Sequence, residues 1–146
     1  MRTLFLVVPF IIVFLLKGEE KIVWQSNLQE AIQLAQDNDK NILIYFTGSD
    51  WCAPCIKLKE DLFDTTEFQE VSERFILLYI DIPRKNDVIS REQKEHNQQV
   101  FKKYNKTGVF PLFLVVSPKE KVLDEYSGYS MNGEIGYHIE FLKRNQ

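Results

Sequence analysis

Beyond its first twenty residues the chain alternates between stretches where apolar residues recur every three or four positions and short runs that are almost wholly apolar. The first spacing is that of an amphipathic helix, the second that of a strand covered on both faces. Leu28, Ala31, Ile32 and Ala35 keep the helical spacing; Ser26 with Gln29 reads as a capping box at its start, and Asp37-Asn38-Asp39 ends it. Asn41 to Thr47, Asn-Ile-Leu-Ile-Tyr-Phe-Thr, predicts a central strand. Ile56, Leu58, Leu62 and Phe63 return to helix, Asp64 with Glu67 opens a short one through Phe68 and Val71, and Phe75 to Asp81 is the next strand, stopped by Pro83. Residues 84–99 are strongly polar and predict a solvated loop running into a helix whose apolar end is Val100, Phe101 and Tyr104. Phe110 to Val116 and Lys121 to Tyr126 form two strands in hairpin relation across Ser117-Pro118-Lys119-Glu120, and Ile135, Ile139 and Leu142 mark a closing helix.

This order predicts an α/β fold: a βαβ half followed by a ββα half, giving a central mixed β-sheet with helices on both faces. No internal repeat and no Gly/Ser linker divides it, so residues 21–146 form one domain. The N-terminus has a different pattern. Met1-Arg2, an apolar run from Thr3 to Leu16 and then Lys17-Gly18-Glu19-Glu20 have the layout of a secretory signal. As a helix that run spans about 21 Å, short of a hydrocarbon core of roughly 30 Å, and Pro9 interrupts it. No small-residue cleavage site follows beyond Gly18, so residues 1–18 are expected to be either a signal peptide or an uncleaved N-terminal anchor. Both place the domain outside the cytoplasm, periplasmic or secreted.

Composition narrows the function classes. The 146 residues carry 18 Lys+Arg against 21 Asp+Glu, a net charge of −3, so no cationic excess is available for a nucleic acid. Eleven Phe supply large core side chains, and two cysteines are too few for a disulfide framework. Those two cysteines lie instead at Trp51-Cys52-Ala53-Pro54-Cys55, where the predicted central strand turns into a helix. A thiol at a helix N-terminus meets the free N–H groups and partial positive charge of the first turn, which lower its pKa below about 8.5 and make it a better nucleophile. Cys52 has that place. Cys55, one helical turn on, is positioned to attack a mixed disulfide formed at Cys52. Pro54 costs little so near a helix start, because the N–H it lacks would have no intrahelical partner. Trp51 offers an apolar face beside the nucleophile.

Trp-Cys-x-Pro-Cys after a buried strand and before a helix resembles the thioredoxin superfamily, in particular exported thiol reductases such as the C-terminal periplasmic domain of the transmembrane electron-transporting reductase. The resemblance is strong over residues 41–128 and implies a thioredoxin-like fold. It further implies a cis proline at Pro111, with the backbone around Phe110 pairing with the substrate chain, and a groove kept open at Gly128. Substrate-contacting residues would be Trp51, Pro54, Phe110 and Pro111; the redox-active dithiol would need no cofactor. Partners would be client proteins carrying disulfides and, because a reductant outside the cytoplasm must be recharged, a membrane electron donor; a monomer is expected. The Ala-Pro dipeptide between the cysteines resembles that of reductants rather than oxidants.

The sequence also departs from thioredoxin. Tyr45 stands where thioredoxin has a buried aspartate thought to help deprotonate the second cysteine, leaving the proton acceptor for Cys55 unassigned, and Asp50, if close to Cys52, would oppose thiolate formation. Other readings of the cysteine pair are a zinc or copper site and a redox-silent binding module for a client protein or metal. Zinc needs two further ligands, and His96 and His138 lie in separate segments at spacings unlike any finger, so both are read as surface or core-edge residues. Trp24 and Tyr104 are read as packing residues, and Tyr126, Tyr129 and Tyr137 as core edge or groove.

Overall fold

A computed structural model describes residues 22–146; the N-terminal segment 1–18 lies outside the described residues. The elements run β1 (Trp24–Gln25), α1 (Leu28–Asn38), β2 (Asn41–Thr47), α2 (Ala53–Leu62), α3 (Thr66–Ser72), β3 (Phe75–Asp81), α4 (Arg91–Tyr104), β4 (Leu112–Val116), β5 (Val122–Ser127) and α5 (Gly136–Arg144). The sheet order is β1-β3-β2-β4-β5, so β2 is the middle strand. β1, β3 and β2 run parallel, whereas β4 pairs antiparallel with both β2 and β5, which makes the sheet mixed.

Alternation along β2 sorts the core into two layers, because successive side chains of a strand point to opposite faces. Ile42, Ile44 and Phe46 join Leu78, Ile80, Leu112, Leu114 and Val116 against α1 and α4. Leu43 and Tyr45 join Leu77, Phe113 and Val115 against α2, α3 and α5. The doubly apolar sequence of β2 follows from this burial on both faces. Trp24 packs on the second layer, stacked on Phe68 and edge-on to Tyr79, and Tyr104 is buried in the first.

Four sequence expectations are corrected. The cap of α1 is Asn27 rather than Ser26: its Oδ1 accepts from the N–H groups of Gln29 and Glu30 at 2.8 and 3.2 Å. The cap of α3 is Thr65 rather than Asp64, with Oγ1 accepting from Phe68 N–H at 3.2 Å. A short edge strand, β1, precedes the first helix, held by backbone pairing to Leu77 and Leu78. His138 is no surface group: 3 % exposed, it lies under the edge-on rings of Phe113, Tyr126 and Tyr129. His96 is half-buried and accepts the N–H of Leu28 on Nε2 at 3.1 Å, joining α4 to the start of α1. Of the three tyrosines, Tyr126 and Tyr129 pack at the edge of the second layer and Tyr137 is exposed.

Candidate functional site

Where β2 ends the chain makes a tight turn and enters α2 at Cys52. Cys52 N–H and Trp51 N–H both donate to Gly48 O, at 2.8 and 3.2 Å. The turn is tied to the end of β3 by Asp81, a buried carboxylate whose Oδ1 accepts from Ser49 N–H at 2.9 Å and whose Oδ2 accepts from Ser49 Oγ at 2.5 Å. Asn97 of α4 in turn donates to Asp81 O at 2.8 Å. Asp81 and Asn97 escaped the sequence reading; the one available signal was a lone carboxylate ending the otherwise apolar run Phe75–Ile82.

Cys52 is the N-cap of α2, and its Sγ accepts from the N–H of Cys55 at 3.3 Å. That is the contact by which a helix start stabilises negative charge on sulfur. Pro54 falls within the first turn, where no intrahelical acceptor awaits its missing N–H. The two cysteines are joined as a disulfide, with 5.2 Å between their Cα atoms. Cys55 is fully buried, and Cys52, at the cap, is 4 % exposed.

Trp51 closes one side of this turn. Its Nε1 donates to Ile82 O at 2.8 Å, its ring meets Phe110 edge-to-face at 5.2 Å, and Phe110 stacks on Phe101 at 5.7 Å. The indole lies so close over Gly48 that a Cβ there would fall 2.3 Å from the ring, which explains a glycine at the turn. Phe110 precedes a cis peptide bond to Pro111, and Pro111 O accepts from Gly128 N–H at 2.9 Å. Gly128 has φ +84°, a left-handed conformation that glycine adopts without a steric cost. The structure thus joins Trp51 to Phe110, and Pro111 to Gly128, from three separate segments.

The charged groups around the turn have specific partners. Asp50 Oδ1 and Oδ2 accept from the backbone N–H groups of Arg84 and Lys85 at 3.0 and 2.8 Å, and these bonds hold its carboxyl below the usual carboxylate range. Tyr45 is buried and its Oη donates to Cys55 O at 2.9 Å; burial drives its pKa well above the usual tyrosine value. It therefore stays protonated and serves as a donor, not as the base that thioredoxin's aspartate would supply at this position. Tyr79, beside it, is pushed up to about 12, again by burial. Among the described residues no cluster of three or more His, Cys, Asp or Glu side chains is arranged to hold a metal ion.

Comparison with known proteins places this arrangement. Disulfide bond reductase DsbH of Chlamydia pneumoniae is 31% identical over 115 residues, covering 78% of this chain and 67% of that protein. Thioredoxin-related protein DsbJ of the same organism is 26% identical over 127 residues, 84% of this chain but 34% of its own, so the chain spans about a third of that relative. The solved structure of DsbH oxidoreductase superposes with a TM-score of 0.72 at 28% identity, over 84% of this chain and 83% of that one. A family profile described as thioredoxin-like matches residues 23–118, the stretch running from β1 through the cysteine turn to the end of β4. With its mixed sheet, its capped cysteine pair and these relatives, the chain belongs to the thioredoxin-like family, among the thiol–disulfide oxidoreductases.

Proposed function

We propose that this protein is an exported reductant of protein disulfides, with Cys52 as nucleophile and Cys55 as resolving thiol. The observation that carries the reading is the Cys52 cap: a sulfur at the start of α2, receiving the Cys55 N–H, with the second sulfur fully buried behind it. The Cys52 thiolate attacks one sulfur of a client disulfide, forms a mixed disulfide and expels the other client sulfur as thiolate. Cys55, deprotonated, then attacks Cys52 Sγ; the Cys52–Cys55 disulfide forms and the second client thiolate leaves. Two electrons pass to the client, and the oxidised pair is recharged by a dithiol on a membrane partner. Trp51 and Pro54, beside the cysteines in the chain, and Phe110 and Pro111, reached through the Trp51–Phe110 ring contact, receive the client chain. Residues 1–18 direct export or anchor the domain, and the protein works as a monomer. The chemistry needs no cofactor beyond the cysteine pair.

The reading is tested by insulin reduction with the full chain and with Cys52→Ser, which should abolish turnover. Cys55→Ser should accumulate mixed disulfides at Cys52, and their absence would reverse or remove the assigned roles. Equilibration of the pair against defined thiol buffers fixes the direction: a potential near that of thioredoxin, about −270 mV, supports a reductant, and one near about −120 mV makes the protein an oxidant.

A further inference from the structure

The segment after β3 is fastened beside the cysteine turn at every residue from Ile82 to Lys85. Ile82 N–H donates to Thr47 O at 2.8 Å, Ile82 O receives the indole N–H of Trp51, Pro83 is buried, and the N–H groups of Arg84 and Lys85 are held by Asp50. This places the Arg84 guanidinium on Trp51, with Cζ 4.4 Å from the ring centroid. Trp51 is the residue before Cys52 and also meets Phe110, the residue before Pro111. Arg84 is thus the cationic end of an aromatic row, Trp51–Phe110–Phe101, that borders both segments assigned to client binding.

Arg84 is exposed, and among the described residues neither it nor Lys85 has a carboxylate partner. Four surface cations have carboxylate partners, Lys57 with Asp61, Arg91 with Glu95, Lys103 with Glu120 and Arg144 with Asp124; Lys59, Arg74 and Lys119, like Arg84, have none among the described residues, so what sets Arg84 apart is its place on the Trp51 ring. Asp50, in the facing turn, has its oxygens on the backbone N–H groups of Arg84 and Lys85 and not on the guanidinium. A guanidinium whose carbon lies over an aromatic ring still has N–H groups to offer a bidentate acceptor. The chain as a whole carries −3, so any attraction for an acidic client is local to this edge.

Building on the reductase reading, we propose that Arg84 is a specificity-determining residue that selects clients carrying a carboxylate side chain next to the target cysteine. The client Asp or Glu docks on the guanidinium edge while its disulfide lies over Cys52. Arg84 discriminates among clients and takes no part in the electron transfer.

The test uses the pre-reduced full chain in single turnovers against three disulfide peptides, identical except for Glu, Gln or Lys beside one cysteine. The second-order rate constants should rank Glu over Gln over Lys, with a Glu-to-Lys ratio of about threefold or more that shrinks as salt is raised. Arg84→Gln should collapse the ratio toward one, Arg84→Glu should invert it, and Arg84→Lys should restore part of it. Because the readout is a ratio between peptides on one protein, a uniform loss of folded enzyme does not move it. Equal rates for all three peptides, or a ranking that survives in Arg84→Gln, overturn the proposal and leave the reductase reading intact. Reduction of none of the peptides by the wild-type chain overturns the reductase reading and this proposal with it.

Discussion

The Tyr45 hydroxyl donates a hydrogen bond to the carbonyl of Cys55 at 2.9 Å, joining the middle of the sheet to the first turn of α2. Thioredoxin's aspartate at this position accepts a proton; a tyrosine held protonated by burial can only position. Tyr45→Phe removes one buried hydrogen bond and should lower unfolding stability by about 0.5–1.5 kcal/mol in urea. Because Tyr45 is no base, the pH profile of the resolving step should keep its shape in this variant. A displaced profile would assign Tyr45 a role in deprotonating Cys55.

The sheet and the site differ in how far the sequence discloses them. β2 reads correctly from Asn41 to Thr47 because burial on both faces leaves an unbroken apolar run, a property of the strand itself. The cap of α1 is displaced by one residue because Ser26 and Asn27 are both competent caps, and only the path of the chain out of β1 selects Asn27. β1 itself is two residues long, and pairing to β3, not any local pattern, makes it a strand. At the site, Cys52 and Cys55 are legible because spacing and helix position are local. Asp81 and Arg84 are not, since they reach the turn from more than thirty residues along the chain.

Gly48 leaves room for the indole of Trp51, and a Cβ there would fall 2.3 Å from Cε2 and 2.4 Å from Nε1. Gly48→Ala should therefore expel the ring from its bond to Ile82 O and its edge contact with Phe110, costing about 1–3 kcal/mol of stability. In a Trp24→Phe background Trp51 is the sole tryptophan, and its emission should shift to longer wavelength on this substitution. Unchanged emission and stability would mean that the turn yields and the ring stays in place.

Asp81 anchors the turn through a backbone N–H and a hydroxyl of Ser49. Charge-assisted bonds of this kind each contribute about 1.5–3 kcal/mol, so Asp81→Ala should be destabilised by at least about 2 kcal/mol. Asp81→Asn keeps a carbonyl for Ser49 N–H and offers an amide donor to Oγ, and should lose clearly less. Denaturant midpoints of the two variants decide it: equal losses would show that charge, rather than geometry, holds the turn. Client reduction should fall in the same order, since the turn carries both Trp51 and Cys52.

His138 links the last helix to the Pro111 edge. Its Nε2 donates to Gly128 O at 3.2 Å, while Gly128 N–H donates to Pro111 O, and its Nδ1 is buried without a partner among the described residues. Burial among aromatic rings lowers its pKa from 6.5, so the folded protein holds this imidazole neutral when the unfolded chain would already protonate it. A group depressed in the folded state contributes its full stability above the unfolded value and loses it as the pH falls through the folded one. Between about pH 7.5 and about pH 5.5 the wild-type protein should lose urea resistance, and His138→Gln, which retains a donor for Gly128 O, should lose less over the same interval. Parallel slopes in the two proteins would place the pH dependence elsewhere. Protonation adds at Nδ1 a second buried donor that meets no acceptor among the described residues, so the cost falls on the packing of α5 beneath Gly128. If the Pro111 edge receives the client as proposed, client affinity should then weaken with acid in the wild type more steeply than in the variant.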